Sequence, residues 1–394
     1  MNRRHFIGTT LGAGLALATH AGAEERKLRV AVIGHTGHGN YGHGLDAVWL
    51  ALPEVELVAV ADADATGLAK AQKKLKLAKG YSDYRAMLAE TKPDIVAIAP
   101  RFVDEHRDMA LAAIAAGARG IYCEKPFCRS PAEADEIVAA CEKNGVKFAV
   151  AHRNRYHPAI AAVDKLLKDG AIGKLLELRA RGKEDQRGGG LDLWVLGAHL
   201  FNLMNYFGGQ PLACTATVLQ GGKPAARADV QDGAEGVGPL AGNAVHARYE
   251  MECGVPAFFD SVQNAGDKAA GFGVQLIGTK GMIDFRVDTE PFAHLLPGGA
   301  LHPQKEPSTW LPISSAGPGQ PEPIADLAKL VSSHQLAAQD LLAALRENRQ
   351  PLCDAKAARN TIEMICAVFE SHRLGSQRVT FPLKTRENPL LKLA

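Results

Sequence analysis

The stretch that decides the fold is Leu28-Arg29-Val30-Ala31-Val32-Ile33-Gly34-His35-Thr36-Gly37-His38-Gly39-Asn40-Tyr41-Gly42. Its first six residues suit a short parallel strand buried on both faces. The glycines after them allow a tight turn in which backbone N–H groups and a helix N-terminus approach a pyrophosphate. Counted from Gly34, the G-x-G-x-x-G pattern has Thr36 in its middle position; counted from Gly37, it runs through Gly39 and Gly42. A helical stretch is expected next, and Asp62 ends the second apolar run, where an acid binds the hydroxyls of an adenosine ribose. Its carboxylate repels a 2′-phosphate, and Ala61, Ala63, Asp64 and Ala65 beside it include no Arg or Lys. NAD is therefore expected rather than NADP, with Gly34, Thr36, Gly37, Gly39, Asn40 and Asp62 as its contacts. No carboxylate or cysteine sits among His35, His38 and His43, so no metal is expected there.

Outward from this turn, strand-like and helical runs alternate as in a doubly wound α/β sheet. Strands are expected over 28–33, 55–61, 95–99, 120–123 and 146–150, with helices over 63–77, 104–116 and 131–144. Ser130, Pro131 and Glu133 form a good helix start. After about residue 155 the strand-like segments lengthen, at 174–180, 244–251 and 272–277, as in an α+β domain on a large, mostly antiparallel open sheet. Residues 221–242 and 297–323 read as surface excursions or lids, and helices are expected over 333–347 and 354–373. The expected division is a leader at 1–23, a dinucleotide-binding domain at 24–153 and a substrate and oligomerisation domain at 154–394.

The 394 residues are 46% hydrophobic and 22% charged, with a formal charge of +2. That balance excludes disorder, coiled coil and broad binding to nucleic acid, and makes a small molecule the expected partner. The surplus resides in Arg3 and Arg4; without them 43 basic residues face 43 acidic ones. Arg3 and Arg4, Phe6, a weakly apolar stretch to Thr19 and Ala21-Gly22-Ala23 resemble a twin-arginine export signal. The apolar run is shorter than the ~20 residues that span a bilayer, so the mature form is expected off the membrane and in the periplasm or otherwise exported. Seven cysteines without a C-x-x-C pair support neither a disulfide framework nor a structural zinc site. Export of a protein already folded in the reducing cytoplasm, with cofactor inside, accounts for that.

Two further features are Cys123-Glu124-Lys125-Pro126 at the end of the strand expected over 120–123, and Gly188-Gly189-Gly190 leading to Asp192 and Gly197-Ala198-His199. Together with the glycine-rich start and Gly170-Ala171-Ile172-Gly173-Lys174, they resemble the Gfo/Idh/MocA family of nicotinamide-dependent sugar and polyol oxidoreductases. The resemblance covers nearly all of the chain after the leader. It implies that Lys125 bonds a substrate hydroxyl, that His199 is the base, and that Glu124, Pro100 and His106 lie in the nicotinamide region. An imidazole with a pKa near 6.5 is well matched to taking a hydroxyl proton while hydride leaves carbon. The family commonly has Asp four residues before this histidine, and Val195 stands there instead. Asp192, two helical turns before His199, either orients His199 or a sugar hydroxyl, or caps the helix.

Arg153, Arg155, Tyr156, Lys183 and Asp185, with Asp192 and His199, are the substrate-binding candidates; His157 is a reserve acid or base, and Trp194 reads as a buried anchor. The expected activity is hydride transfer between NAD and a secondary alcohol of a sugar, glycoside or polyol. Two alternatives stay open: glycoside hydrolysis by oxidation, elimination, water addition and re-reduction on tightly held NAD, and a non-catalytic NAD or sugar sensor. The open sheet face makes a homo-oligomer the expected assembly.

Overall fold

The computed structural model describes residues 26–266, 272–299, 301 and 308–393. The expected export signal at 1–23 lies outside them. Six parallel strands, β1 (Leu28–Ile33), β2 (Val55–Ala61), β3 (Gly80–Tyr81), β4 (Ile95–Ile98), β5 (Gly120–Cys123) and β6 (Lys147–Val150), form one sheet in the order β3-β2-β1-β4-β5-β6. Alternate side chains bury on opposite faces. Ala31, Ile33, Val96, Ile98 and Ile121 pack against α2 (Tyr84–Thr91), α3 (His106–Ala115) and α4 (Pro131–Asn144). Val30, Val32, Ala97 and Tyr122 pack against α1 (Ala65–Leu75) and Trp49. Each Val or Ile so buried contributes roughly 1.5–3 kcal/mol, which is why these runs need no polar alternation.

The expected strands and the start of α4 agree with the structure within a residue; the Ser130 hydroxyl accepts from the Glu133 amide at 3.2 Å behind Pro131. The helix expected directly after the glycine turn is absent. Residues 41–47 are successive turns, followed by a 3-10 helix over Val48–Ala51. Asn40, Gly42 and Gly44 take φ of 55°, 56° and 94°, which a right-handed helix cannot accommodate. The short β3 and α2 were not foreseen.

The chain then passes through α5 (Ala159–Lys168) into β7 (Leu175–Arg181), α6 (Gly190–Val195) and α7 (Gly197–Gly208). β7 is central to an eleven-stranded, largely antiparallel sheet, pairing in parallel with Pro256–Val262 and antiparallel with Phe272–Gly278. Part of the expected excursion at 297–323 extends this sheet, since Leu311–Ser314 pairs with Ala293–Pro297 and with Gly317–Pro318. The segment 221–242 carries a small two-stranded sheet. After α8 (Leu327–Ser332), helix α9 (Gln335–Glu347) returns to the first domain, burying Ala337, Ala338, Leu341 and Leu342 on its parallel sheet, and α10 (Ala355–Arg373) packs beside α4 and α7. The division expected at residue 153 is thus crossed by a later helix.

Arg386 fastens the C-terminal tail to both layers. Its guanidinium pairs with Asp135 on α4 and with Glu363 on α10, and donates to the carbonyls of Pro131 and Leu383. Glu363 is only 3% exposed, and without Arg386 its remaining cation is Arg359 at 3.8 Å, so removing Arg386 leaves a buried charge with its weaker partner alone. Arg386→Ala is expected to lower the free energy of unfolding by about 3 kcal/mol in urea titration; a change within about 0.5 kcal/mol, the range of an ordinary surface substitution, contradicts this clamp.

Candidate functional site

The glycine turn closes on itself and on the loop after β4. His35 and Asn40 exchange backbone hydrogen bonds of 3.1 and 2.8 Å, so residues 35–40 form a tight excursion. Gly39 has φ 82°, and its carbonyl accepts from the Arg101 amide at 3.1 Å. A Cβ on Gly39 would stand 2.5 Å from the Phe102 nitrogen, so this close approach demands glycine. Two histidine–carboxylate pairs span the same gap: His35 Nδ1 to Glu105 at 2.6 Å, and His38 Nε2 to Asp104 at 2.9 Å. His106 reaches the carbonyl oxygens of Pro126 at 2.8 Å and Pro100 at 2.7 Å, fixing the loops after β4 and β5 together.

Thr36, in the motif's middle position, is used to hold Asp62. The Asp62 carboxylate accepts from the Thr36 amide at 3.0 Å, from its hydroxyl at 2.7 Å and from the Asp64 amide at 3.0 Å. These bonds outweigh burial and hold the carboxyl below its usual range. Gly67 on α1 makes room for Thr36, since a Cβ there would lie 2.0 Å from the threonine hydroxyl. Beside Asp62 lies a cavity of about 210 Å³ lined by Gly34, His35, Ser82, Tyr84 and three carboxylates, Asp62, Asp83 and Glu105. Carboxylates without a lining Lys or Arg fit a ribose diol and oppose a 2′-phosphate, so the residues present fit NAD. Gly37 has nothing near its Cβ position, and its amide donates to Asn40 Oδ1 at 3.1 Å, so both shape the turn itself.

The second half of the site begins at the end of β5. Glu124 has no exposed surface; its carboxylate accepts from the His43 amide at 3.1 Å, from the His43 ring, and from the Lys125 amide at 2.8 Å. Burial opposes ionisation, yet the His43 hydrogen bond and the Lys125 charge prevail and bring its pKa to about 2. Lys125 is 7% exposed and donates from Nζ to the Val195 carbonyl at 3.0 Å. The position where the family commonly has Asp thus supplies a backbone oxygen. His199, 6% exposed, and His152, 1% exposed, meet edge to face with centroids 5.4 Å apart and planes at 81°. Burial first, and the Lys125 charge second, push His199 well below the usual imidazole value and His152 to about 3, so both rings are neutral at pH 7. His334, hydrogen-bonded through Nδ1 to the Tyr122 hydroxyl at 2.7 Å, is pushed by burial to about 4. Across the domain boundary, Asp288 accepts from Arg153 Nη2 at 2.8 Å and from the Asn154 amide group at 3.0 Å.

Of the sequence candidates, the structure brings Lys125, His199, Arg153 and Glu124 to one place. Asp192, Tyr156, Arg155, Asp185, Lys183 and His157 are held elsewhere or by other partners. Leu196 separates α6 from α7, so Asp192 and His199 do not share one helix face; Asp192 accepts instead from the Ser261 hydroxyl at 2.6 Å and the Glu184 amide at 3.0 Å. It fastens the loop before α6 to the large sheet. Tyr156 is buried in the apolar cluster with Trp49 and Tyr122. The Arg155 guanidinium lies 3.4 Å above the Tyr206 ring, a cation–π contact on the outer side of α7. Asp185 is occupied by Arg187 at 2.6 Å, and Lys183 is exposed. His157 is fixed against Phe292 and bonds Glu290 at 3.1 Å, and Trp194 is fully buried as an anchor. His43, weighed in the sequence only as a metal ligand of the glycine turn, and His152, His334 and Asp288, each a lone residue without a motif, are brought to the site only by the fold.

Burying neutral histidines ties stability to pH. Unfolded imidazoles take up a proton as pH falls through about 6.5, while folded His334 stays neutral to about 4 and His152 to about 3. Their contribution is therefore complete above pH 6.5 and is lost below it, by up to about 1.4 kcal/mol per pH unit for each ring. The unfolding free energy is expected to fall between pH 6.5 and 4.5, and less steeply in His334→Asn, which tolerates the φ of 63° at that position. Equal slopes in the two proteins contradict the assignment.

Residues 28–152 match the family model described as "Oxidoreductase family, NAD-binding Rossmann fold". The chain is 40% identical over 125 residues to D-apiose dehydrogenase of Paraburkholderia graminis, covering 32% of this chain and 33% of that one. It is 25% identical over 263 residues to levoglucosan dehydrogenase of Pseudarthrobacter phenanthrenivorans, covering 60% of this chain and 66% of that one. The matched stretch is 38% of the length of mouse trans-1,2-dihydrobenzene-1,2-diol dehydrogenase. Among solved structures, levoglucosan dehydrogenase in complex with NADH superposes with a TM-score of 0.73 at 20% identity, over 91% of this chain and 100% of that one, which establishes the two-domain fold. A glycine turn, an acid at the end of β2 and a family-model match coincide in residues 28–152, so this part of the chain is similar to the NAD-binding Rossmann domain of the Gfo/Idh/MocA oxidoreductases.

Proposed function

We propose that the protein is an NAD-dependent oxidoreductase that moves hydride between nicotinamide and a secondary alcohol of a sugar, glycoside or polyol. The observation that carries this reading is the burial of the Lys125 ammonium with the neutral His199 imidazole where the two domains meet. Gly34, Thr36, Gly39 and Asp62 would hold the adenosine half of NAD, with Glu124, Pro100 and His106 shaping the nicotinamide end. Bound NAD supplies the hydride acceptor. Lys125 uses one of its three N–H donors on the Val195 carbonyl, which leaves two for a substrate oxygen. His199 takes the hydroxyl proton as the carbonyl forms, and its lowered pKa keeps it in the base form below pH 6.5. The names of the relatives, which act on apiose, levoglucosan and dihydrodiols, support a polyhydroxylated substrate.

One observation favours a variant of this chemistry in which NAD stays bound and a glycoside is hydrolysed through oxidation and re-reduction. The Gly39–Arg101 contact and the two histidine–carboxylate pairs fasten the glycine turn to the segment after β4, and a turn so fixed suits a retained cofactor. Retention also fits export in the folded state, which we propose from Arg3 and Arg4, Phe6, the weakly apolar stretch to Thr19 and Ala21-Gly22-Ala23. Glycoside cleavage without net NADH distinguishes this variant from simple dehydrogenation.

Substituting His199 by Ala is expected to reduce turnover by about a hundredfold or more, with NAD+ affinity retained. NADH formation across a panel of sugars and polyols, read at the nicotinamide absorbance alongside calorimetric NAD+ titration, checks this. Unchanged turnover refutes His199 as the base.

A further inference from the structure

His152 has no part in the reaction as described, yet it is the least satisfied polar side chain at the site. It is 1% exposed, and neither ring nitrogen has a hydrogen-bond partner. The chain leaves β6 through a tight turn, with the His152 amide bonded to the Val150 carbonyl at 2.7 Å, and the ring meets His199 edge to face. His199 Nδ1 is likewise buried without a partner. Three ring nitrogens thus lack partners in two touching imidazoles, both of which feel the Lys125 charge. Leaving a buried polar atom unpaired forfeits its hydration without a return. A histidine that only filled space would be replaced at a gain by Leu or Phe; two at one spot mark a place that a hydrogen-bonding ligand completes.

We propose that His152 is a second hydroxyl-binding residue that determines specificity, so that the preferred substrate carries a hydroxyl on the carbon next to the one oxidised. This rests on the oxidoreductase reading above. The His199 imidazole takes the proton of the reacting hydroxyl, the carbinol C–H bond breaks with its electron pair moving as hydride to NAD+, and the carbonyl forms. The neutral His152 ring offers one donor and one acceptor to the vicinal hydroxyl, which neither gains nor loses a proton overall. Rings 5.4 Å apart match the reach of two hydrogen bonds to neighbouring oxygens of one small molecule.

The test compares cyclohexanol with the cis and trans cyclohexane-1,2-diols, together with one sugar that the wild type oxidises and its analogue deoxygenated beside the reacting carbon. Initial rates of NADH formation are measured for the wild type, His152→Phe and His152→Asn, each first checked for NAD+ binding. The wild type is expected to favour the vicinal diol or sugar by about tenfold or more in kcat/KM over its mono-ol partner. His152→Phe is expected to bring that ratio towards one, mainly through KM, and His152→Asn to recover part of it. A wild-type ratio near one, a ratio preserved in His152→Phe, or equal losses on both partners in both variants overturns the proposal while leaving the oxidoreductase reading intact. No NADH from any alcohol or sugar by NAD+-loaded wild type overturns that reading, and this proposal with it.

Discussion

A carboxylate without exposed surface sits at the end of β5, and both halves of the site are arranged around it. Glu124 is held ionised by the His43 amide and ring, by the Lys125 amide and by the Lys125 charge. Burying an ion is costly unless its lone pairs are satisfied, so the contacts that satisfy it become obligatory. Through His43 it fixes the far end of the glycine loop, and Gly42 has to be glycine because a Cβ there would lie 2.6 Å from the Glu124 carboxylate and from the Ala99 carbonyl. Through its neighbour it fixes where Lys125 leaves the sheet. The glycine loop and the Lys125 ammonium are therefore both positioned around one charge.

Lys125 in turn governs the second domain's side of the site. Its bond to the Val195 carbonyl connects β5 to the break between α6 and α7, just ahead of His199. Burial alone disfavours charge on His152 and His199, and the Lys125 cation beside them adds to that penalty, so both are neutral. Neutral imidazoles accept protons and bind hydroxyls; imidazoliums do neither in the way an alcohol oxidation requires. The cost appears as lost acid stability and as ring nitrogens left without partners. Such local inconsistency, set within two well-packed cores, is what a functional site looks like.

The two-sheet architecture was legible because parallel strands buried on both faces are continuous apolar runs, and because Ser130-Pro131 and the glycine turn carry local conformational meaning. Asp62 and the Glu124-Lys125 pair were legible by position relative to those strands. The helix after the turn was misjudged because successive left-handed residues at 40, 42 and 44 override an otherwise helical composition. Asp192 was misjudged because a helix break at Leu196 is invisible to spacing arguments that assume one continuous helix. Arg155, Tyr156, Lys183 and Asp185 carry the right chemistry at the wrong azimuth, which only tertiary packing reveals. The segment that carries His152 meets Asp288 through Asn154 across 134 residues of sequence, with His334 in a third segment, and nothing local to any of them announces the others.

The central claim, that the buried Glu124 charge organises cofactor loop and Lys125 together, is tested most directly by Glu124→Gln. The amide keeps the shape of the side chain but presents an NH2 group where one carboxylate oxygen meets a donor. Calorimetric NAD+ titration and steady-state rates on the folded variant should show affinity and turnover falling together, each by about tenfold or more. Wild-type affinity and turnover in the folded Gln variant would contradict the account.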